Sequence, residues 1–195
     1  MNQSIPLIAL VGHPRSGKST LARLLEQQGF TIVSGSKLLR DSVSALPDNL
    51  QQANILTTRQ DYDTYHRLWR MEQGLDAMAV YAIQLYGNLP SPKRLCFENI
   101  RNKYDAKTIQ KAGGIIVAIE CPIELRLARA KLVSSQKDKL DQLAFRKAEE
   151  AEYASSDPYG SHVAHIIDKA DITLDGSASA EAVYDEFASK FLLKK

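Results

Sequence analysis

Residues 7–20 read LIALVGHPRSGKST, and their reading decides the fold. Leu7 to Val11 is a short, continuous apolar run, the pattern of a strand buried on both faces. A glycine-framed turn follows from Gly12 to Gly17. Lys18 then opens a segment that places Leu21, Leu24 and Leu25 on one helical face, with Gly29 just past its end. GHPRSGKS matches G-x-x-x-x-G-K-[ST], the phosphate-binding P-loop. The chemistry needs these residues at this spacing. Glycines let the backbone fold around an anion and aim N–H groups at it, and the new helix adds the positive end of its dipole. The expected cradle is Gly12, His13, Pro14, Arg15, Ser16, Gly17, Lys18, Ser19 and Thr20; Lys18 reaches the β- and γ-phosphates and Ser19 ligates Mg²⁺. A plain strand-to-helix turn is the bland alternative, and the buried strand before the loop and amphipathic helix after it favour the cradle. His13 reads as a variable loop position before it reads as an acid or base.

The chain has 195 residues, enough for one domain with a substantial core. Lys plus Arg number 25 against 23 Asp plus Glu, a balance that argues against a protein built to grip nucleic acid. No basic, cleavable leader opens the sequence and no apolar run approaches the ~18 residues that span a membrane, so a cytoplasmic protein is expected. Cys96 and Cys121 lie in apolar surroundings without metal-ligand spacing and read as buried free thiols.

Further strands are expected at 30–33, 95–97, 115–120 and 171–174, with helices at about 37–46, 59–86, 103–112, 122–133, 162–169 and 179–191, and a further helix ending near Tyr153. Five strands alternating with helices imply an α/β protein: a three-layer α/β/α P-loop NTPase fold on a five-stranded parallel sheet. Two helical excursions, 37–92 and 131–168, would cover a site at the C-terminal ends of the strands within this single domain, 1–195. In the first, DYDTYHRLWRMEQG (61–74) carries Tyr62, Tyr65 and Trp69 beside Arg59, Arg67 and Arg70. Aromatics at helical spacing more often fill a core than stack on a base. His162 and His165 lack metal-ligand company and read as structural. Val183, Phe187 and Phe191 form a face that suits either core or interface.

After strand two the chain reads VSGSKLLRD (33–41), and after strand three FENIRN (97–102). Here it resembles the adenylate kinase-like nucleoside and nucleotide kinases, which include dephospho-coenzyme A kinase-like members. Ser34, Gly35 and Arg40 match the family's Ser/Thr-Gly-Asp-x-x-x-Arg, with Ser36 where the acid is usual; Glu98, Asn99 and Arg101 stand in for its Asp-Gly-x-Arg. CPIELRLARA (121–130) looks like the family's basic, Pro-led helix, where Arg129 matches a nucleotide-contacting arginine, and ADITLDG (170–176) looks like the strand before its adenine cup. The resemblance implies ATP and Mg²⁺ as cofactors, Lys18, Glu98, Arg101 and Arg129 as catalytic residues, and Ser36, Arg40 and Arg101 as acceptor contacts. Glu98 would act as a base or as an outer partner of Mg²⁺ beside Ser19. The lid-like region offers Arg126, Arg129 and Arg146 with Lys131, Lys137 and Lys139, where the family is richer in arginine. Lysine supplies charge without a planar fork.

Bottom-up chemistry agrees with this. Phosphoryl transfer needs charge brought into line, and Arg forks grip phosphate bidentately. The bland readings are a surface ion pair for Glu98 with Arg101 and a solvated helix face for Arg40. The expected function is ATP- and Mg-dependent transfer to a small phosphorylated acceptor, a nucleoside monophosphate or a relative such as dephospho-coenzyme A. The alternative is a nucleotide-binding regulatory or assembly module with little turnover. A switch GTPase is disfavoured, because NKYD (102–105) follows strand three, too early for the guanine-reading Asn-Lys-x-Asp. Expected partners are a small-molecule acceptor, with no nucleic acid or membrane, and the chain would be a monomer or homodimer.

Overall fold

A computed structural model describes residues 7–44, 59–87, 94–132, 150, 153 and 155–192, without the side chains of 40–44, 59–63 and 192. In chain order the elements are β1 (Leu7–Val11), α1 (Lys18–Gln27), β2 (Phe30–Val33), α2 (Gly35–Ser44), α3 (Arg59–Gln73), α4 (Ala77–Gly87), β3 (Arg94–Phe97), α5 (Lys103–Lys111), β4 (Ile115–Glu120), α6 (Ile123–Lys131), α7 (Val163–Asp168), β5 (Ile172–Asp175) and α8 (Ala180–Leu192). The strands form one sheet in the order β2-β3-β1-β4-β5, and every pairing is parallel.

Side chains alternate across a strand, so each central strand feeds both faces of the sheet. Ile8 and Leu10 of β1 join Val117 and Ile119 of β4 on one face, under Leu21 and Leu25 of α1 and Val183 and Phe187 of α8. Leu7, Ala9 and Val11 join Ile116 and Ala118 on the other, under Leu38 of α2, Ala79 and Ala82 of α4, Ile109 of α5 and Ile166 of α7. Three layers result, with β1 and β4 buried on both sides as continuous apolar strands must be. Ile119 is fully buried, and truncating such a side chain to alanine costs about 2–5 kcal/mol.

The structure corrects or completes several expectations. The long helix expected over 59–86 is two helices. Gly74 takes φ +110° and its N–H closes α3 on Arg70 O at 3.0 Å, after which α4 begins at Ala77. An unbroken hydrophobic period concealed the break, because both helices present apolar faces to the same layer. Pro122 is the N-cap of α6, with φ −52° and ψ 141°, and not part of its first turn. The ambiguous face of the last helix is core: Val183 and Phe187 are buried, and Phe191 packs on them. Cys96 and Cys121 are buried free thiols. Burial, with Glu98's charge nearby, pushes the Cys96 thiol far up, so it stays protonated. Among the described residues no helix is long and apolar enough to cross a membrane, and no group of three or more His, Cys, Asp or Glu could hold a metal ion. Arg146, Lys137, Lys139 and, apart from residues 150 and 153, the helix expected to end near Tyr153 lie outside the described residues.

Candidate active site

The loop between β1 and α1 has the shape its glycines imply. Gly12 takes φ +149°, Arg15 +64° and Gly17 +112°, and Ser16 N–H closes on His13 O at 3.2 Å. Alternating hands of this kind turn successive N–H groups toward one concavity. A Cβ on Gly12 would lie 2.4 Å from Ile119 O, so only glycine fits there. Lys18 Nζ reaches back along the loop and donates to Gly12 O at 2.8 Å and to His13 O at 2.7 Å. Ser16 Oγ is buried with no hydrogen-bond partner among the described residues, and Ser19 is exposed on the first turn of α1. A concave loop with buried polar atoms, a lysine at its rim and an exposed hydroxyl one residue on fits a phosphate chain with a divalent cation.

His13 belongs to this loop but is poorly suited to proton transfer. Its ring stacks on Tyr153, centroids 5.0 Å apart. Burial, then the charges of Arg126 and Lys18, lower its pKa to about 4. At neutral pH it is an uncharged wall.

Arg129 bridges two loops at this end of the sheet. Its Nη1 donates to Arg15 O at 3.2 Å and its Nη2 to Gly176 O at 2.8 Å, so one guanidinium joins the P-loop to the turn after β5. These two segments touch directly as well: a Cβ on Gly176 would lie 2.2 Å from Ser16 O. Asp175 closes that turn by accepting from Ser177 N and Oγ, at 2.8 and 2.6 Å. Arg126, which the sequence offered to the lid, is buried, and its Nε donates to Cys121 O at 2.8 Å.

Across the sheet, the segment after β3 is drawn to the P-loop strand by Ile100 N donating to Leu10 O at 2.9 Å. Glu98 starts this segment half-buried, its N–H on Val33 O at 2.9 Å. Asn99, with its amide turned so that Oδ1 faces Arg101, accepts from Arg101 Nε at 2.9 Å and Nη2 at 3.1 Å. Asn102 is fully buried. Its Oδ1 caps α5 by accepting from Tyr104 N at 2.9 Å, and its Nδ2 donates to Pro158 O and Gly160 O at 3.0 and 2.9 Å. The turn at 157–160 is thereby tied to the end of β3, and an Arg67–Asp157 ion pair ties it to α3. Ser36 lies on the first turn of α2, its hydroxyl 3.5 Å from that of Ser34, whose Oγ in turn accepts from Lys37 N. Arg40 lies in α2, and its side chain is outside the described residues.

The structure therefore gathers Lys18, Ser19, Glu98, Arg101 and Arg129 around the C-terminal ends of β1, β3 and β4. Trp69 is core, edge-on to Tyr81 at 5.5 Å. Three contributors escaped the sequence: Asn99, which holds Arg101; Gly176, which admits the P-loop backbone; and Asp105, a buried carboxylate facing Arg70 at 3.0 Å. Asn99 sits where the resembling family has glycine, and that departure was the available signal. Gly176 ends the ADITLDG stretch, which does not reveal that its backbone meets Ser16, and Asp105 meets Arg70 only in three dimensions.

No family model matches the chain. It is 25% identical over 190 residues to a UPF0200/UPF0201 protein of Archaeoglobus fulgidus, covering 94% of the chain and 53% of that protein. A UPF0200 protein of Methanosarcina barkeri is 27% identical over 130 residues, 64% of each chain. The chain thus spans about half to two-thirds of the length of these curated relatives. Among solved structures it is similar to TT1252 from Thermus thermophilus (TM-score 0.62, 17% identity, 98% of both chains). It is also similar to shikimate kinase from Aquifex aeolicus (TM-score 0.52, 17% identity, 96% of this chain and 97% of that one). A sugar kinase from a Janibacter species gives a TM-score of 0.50 at 14% identity, over 95% of this chain and 94% of that one. These likenesses show the fold, which is that of the P-loop kinases.

Proposed function

We propose that this protein is a small-molecule kinase: it transfers the γ-phosphoryl group of ATP to a small acceptor that already carries a phosphate. A nucleoside monophosphate or a related nucleotide is the acceptor class we favour. One observation carries the reading. A P-loop leaves the end of β1, Arg101 follows the end of β3, the parallel strand beside it, and Asn99 pre-orients that guanidinium. An anion cradle beside a fixed arginine is what in-line transfer between two phosphates requires.

ATP and Mg²⁺, when bound, supply the transferable group and the charge that neutralises it. The loop backbone of 12–18 binds phosphate oxygens. Lys18, whose Nζ lies on Gly12 O and His13 O, would hold the anion's charge, and the Ser19 hydroxyl would hold the metal. Arg101, with Arg40 and Ser36, grips the acceptor's phosphate. Glu98 steadies the metal's water shell or takes a proton where the acceptor offers a hydroxyl. Arg129 fixes the donor end by holding the two loops together. The near-balanced charge of the chain suits a soluble cytoplasmic enzyme acting on a small molecule, as monomer or homodimer.

The engagement of Arg126 and Arg129 with backbone carbonyls favours a second reading, a nucleotide-binding module with little turnover, since both side chains spend donors on the fold itself. The two readings part in one assay. Purified protein with Mg²⁺, γ-labelled ATP and a panel of nucleoside monophosphates, free nucleosides and dephospho-coenzyme A should move label to one acceptor, and Lys18→Ala should abolish the transfer. Tight ATP binding with no label on any acceptor would select the module.

A further inference from the structure

Two asparagines flank Arg101 with different tasks. Asn99 holds its guanidinium, and Asn102 grips the main chain beside it. The Asn102 carboxamide is fully buried: Oδ1 caps α5, and Nδ2 donates to Pro158 O at 3.0 Å and to Gly160 O at 2.9 Å. A further bond joins the same two stretches through main chain alone, His162 N donating to Arg101 O at 2.7 Å. On its other side the stretch is held to the sheet by Glu98 N on Val33 O and Ile100 N on Leu10 O, both at 2.9 Å.

Capping α5 does not call for asparagine. Serine and aspartate cap helix N-termini about as well, and neither brings the two donors of a carboxamide. Those donors are what asparagine adds, and both are spent on carbonyls 56 and 58 residues away in sequence. The segment they hold has a closed shape of its own. Ser155 N bonds to Ser161 O at 3.1 Å, Gly160 N to Asp157 O at 2.9 Å, and Ser155 Oγ accepts from Asp157 N at 3.1 Å. Its outer end pairs with α3 through Arg67 and Asp157, and the Arg67 guanidinium lies 5.7 Å from the Tyr159 ring centroid. Arg101 therefore stands where the two helical excursions meet, α3 coming from the first and residues 155–162 from the second.

We infer that Asn102 is a positioning residue: its Nδ2 donors hold the 155–162 segment against the Arg101 carbonyl, and that contact sets where the Arg101 guanidinium stands. Its effect on catalysis rests on the kinase reading above, in which Arg101 grips the acceptor's phosphate. Asn99 aims the side chain, and Asn102 places the main chain from which it is aimed.

The test uses three variants that keep the α5 cap. Asn102→Asp and Asn102→Ser retain an oxygen for Tyr104 N and lose the donors. Gly160→Ala presses from the far side: a Cβ there would lie 2.6 Å from Ser155 Oγ and 3.2 Å from Asp157 O, so the turn shifts while Asn102 is untouched. Each is compared with wild type by hydrogen exchange and by the NMR signal of Arg101 Nε–H, assigned by its loss in Arg101→Lys. Amide protection over 155–163 should fall about tenfold or more, the scale of two buried hydrogen bonds, while the α5 amides stay protected. The Arg101 signal should shift. With γ-labelled Mg·ATP and the nucleoside monophosphate that takes the label in wild type, acceptor kcat/KM should fall about tenfold to a hundredfold. The KM for Mg·ATP should not change, a split that a merely structural residue would not produce. Should one variant fail to fold, the other two carry the test. An unmoved Arg101 signal once the 155–163 amides have lost protection, unchanged protection there, or an unchanged acceptor kcat/KM would overturn the inference. A shifted Arg101 signal in a protein whose wild type labels no acceptor would support the positioning role and overturn the kinase reading.

Discussion

The two halves of the candidate site are built from different materials. On the donor side, main-chain atoms make the site: the 12–17 loop curls on itself, Lys18 and Arg129 bond to carbonyl oxygens, and Gly12 and Gly176 leave room for backbone to touch backbone. On the acceptor side, side chains from separate elements make it. Asn99 holds Arg101, Arg70 pairs with Asp105, and His66 leans on Gly35. Backbone geometry constrains residue type at fixed spacing, so a site of the first kind leaves a motif. Side chains that meet only in three dimensions leave none. The same difference should appear in mutational sensitivity: the donor side fails when a methyl group is added, the acceptor side when a side chain is removed.

The largest effect is expected at Asp105. Asp105→Ala leaves the Arg70 cation buried and unpaired, which costs on the order of 3–5 kcal/mol. Urea unfolding should show it, and adding Arg70→Met should recover most of the loss, since removing both charges is far less damaging than removing one. A loss below about 1 kcal/mol in the single variant would deny the acceptor side its dependence on buried side chains.

Acid is the next probe. The pKa of His66 is about 4 in the fold against 6.5 for the free side chain, so the fold prefers the uncharged ring. Its contribution is complete above pH 6.5 and is lost as pH falls toward 4. The linked energy is at most about 3 kcal/mol. Unfolding free energy should therefore drop between pH 6.5 and 4, and His66→Phe should flatten part of that drop. An unchanged slope in the variant would show that other groups govern acid sensitivity.

Gly176→Ala tests the donor side. The new methyl would press on Ser16 O and force the turn after β5 off the P-loop. A displacement of about 1 Å at such a site costs up to about a hundredfold. The rate of phosphoryl transfer from Mg·ATP should fall toward that limit, and a fully tolerated methyl would break the comparison. The smallest effect is at Arg15, whose φ of +64° is costly for any residue with a Cβ. Arg15→Gly should raise stability by about 0.5–1 kcal/mol by relieving that strain, visible as a shift in urea midpoint at constant slope.

The same contrast explains what could be read before any coordinates. All five strands were legible because each is an apolar run closed by glycine, proline or a polar turn, and the parallel fold followed from their alternation with helices. The P-loop was legible because its spacing is dictated by the backbone. The places of Glu98 and Arg101 were legible because both follow directly on a strand. The break at Gly74 was not, since the apolar period runs through it and the capping network comes from α5, with Asp105 accepting from Ala79 N and Asp76 accepting from Thr108. The roles of Asn99 and His66 were hidden for a related reason. An amide that steers an arginine, or an imidazole laid over a glycine, is defined by tertiary distance and has no local signature.

The staple formed by Arg129 has a consequence for measurement at molecular scale. Because one rigid guanidinium spans Arg15 O and Gly176 O, and Gly176 abuts Ser16, the two loops that frame the donor groove cannot slide apart independently. The spacing of the two loops is set by one side chain. Under the kinase reading proposed above, a donor that spanned both loops would be gauged against that spacing before its chemistry was read.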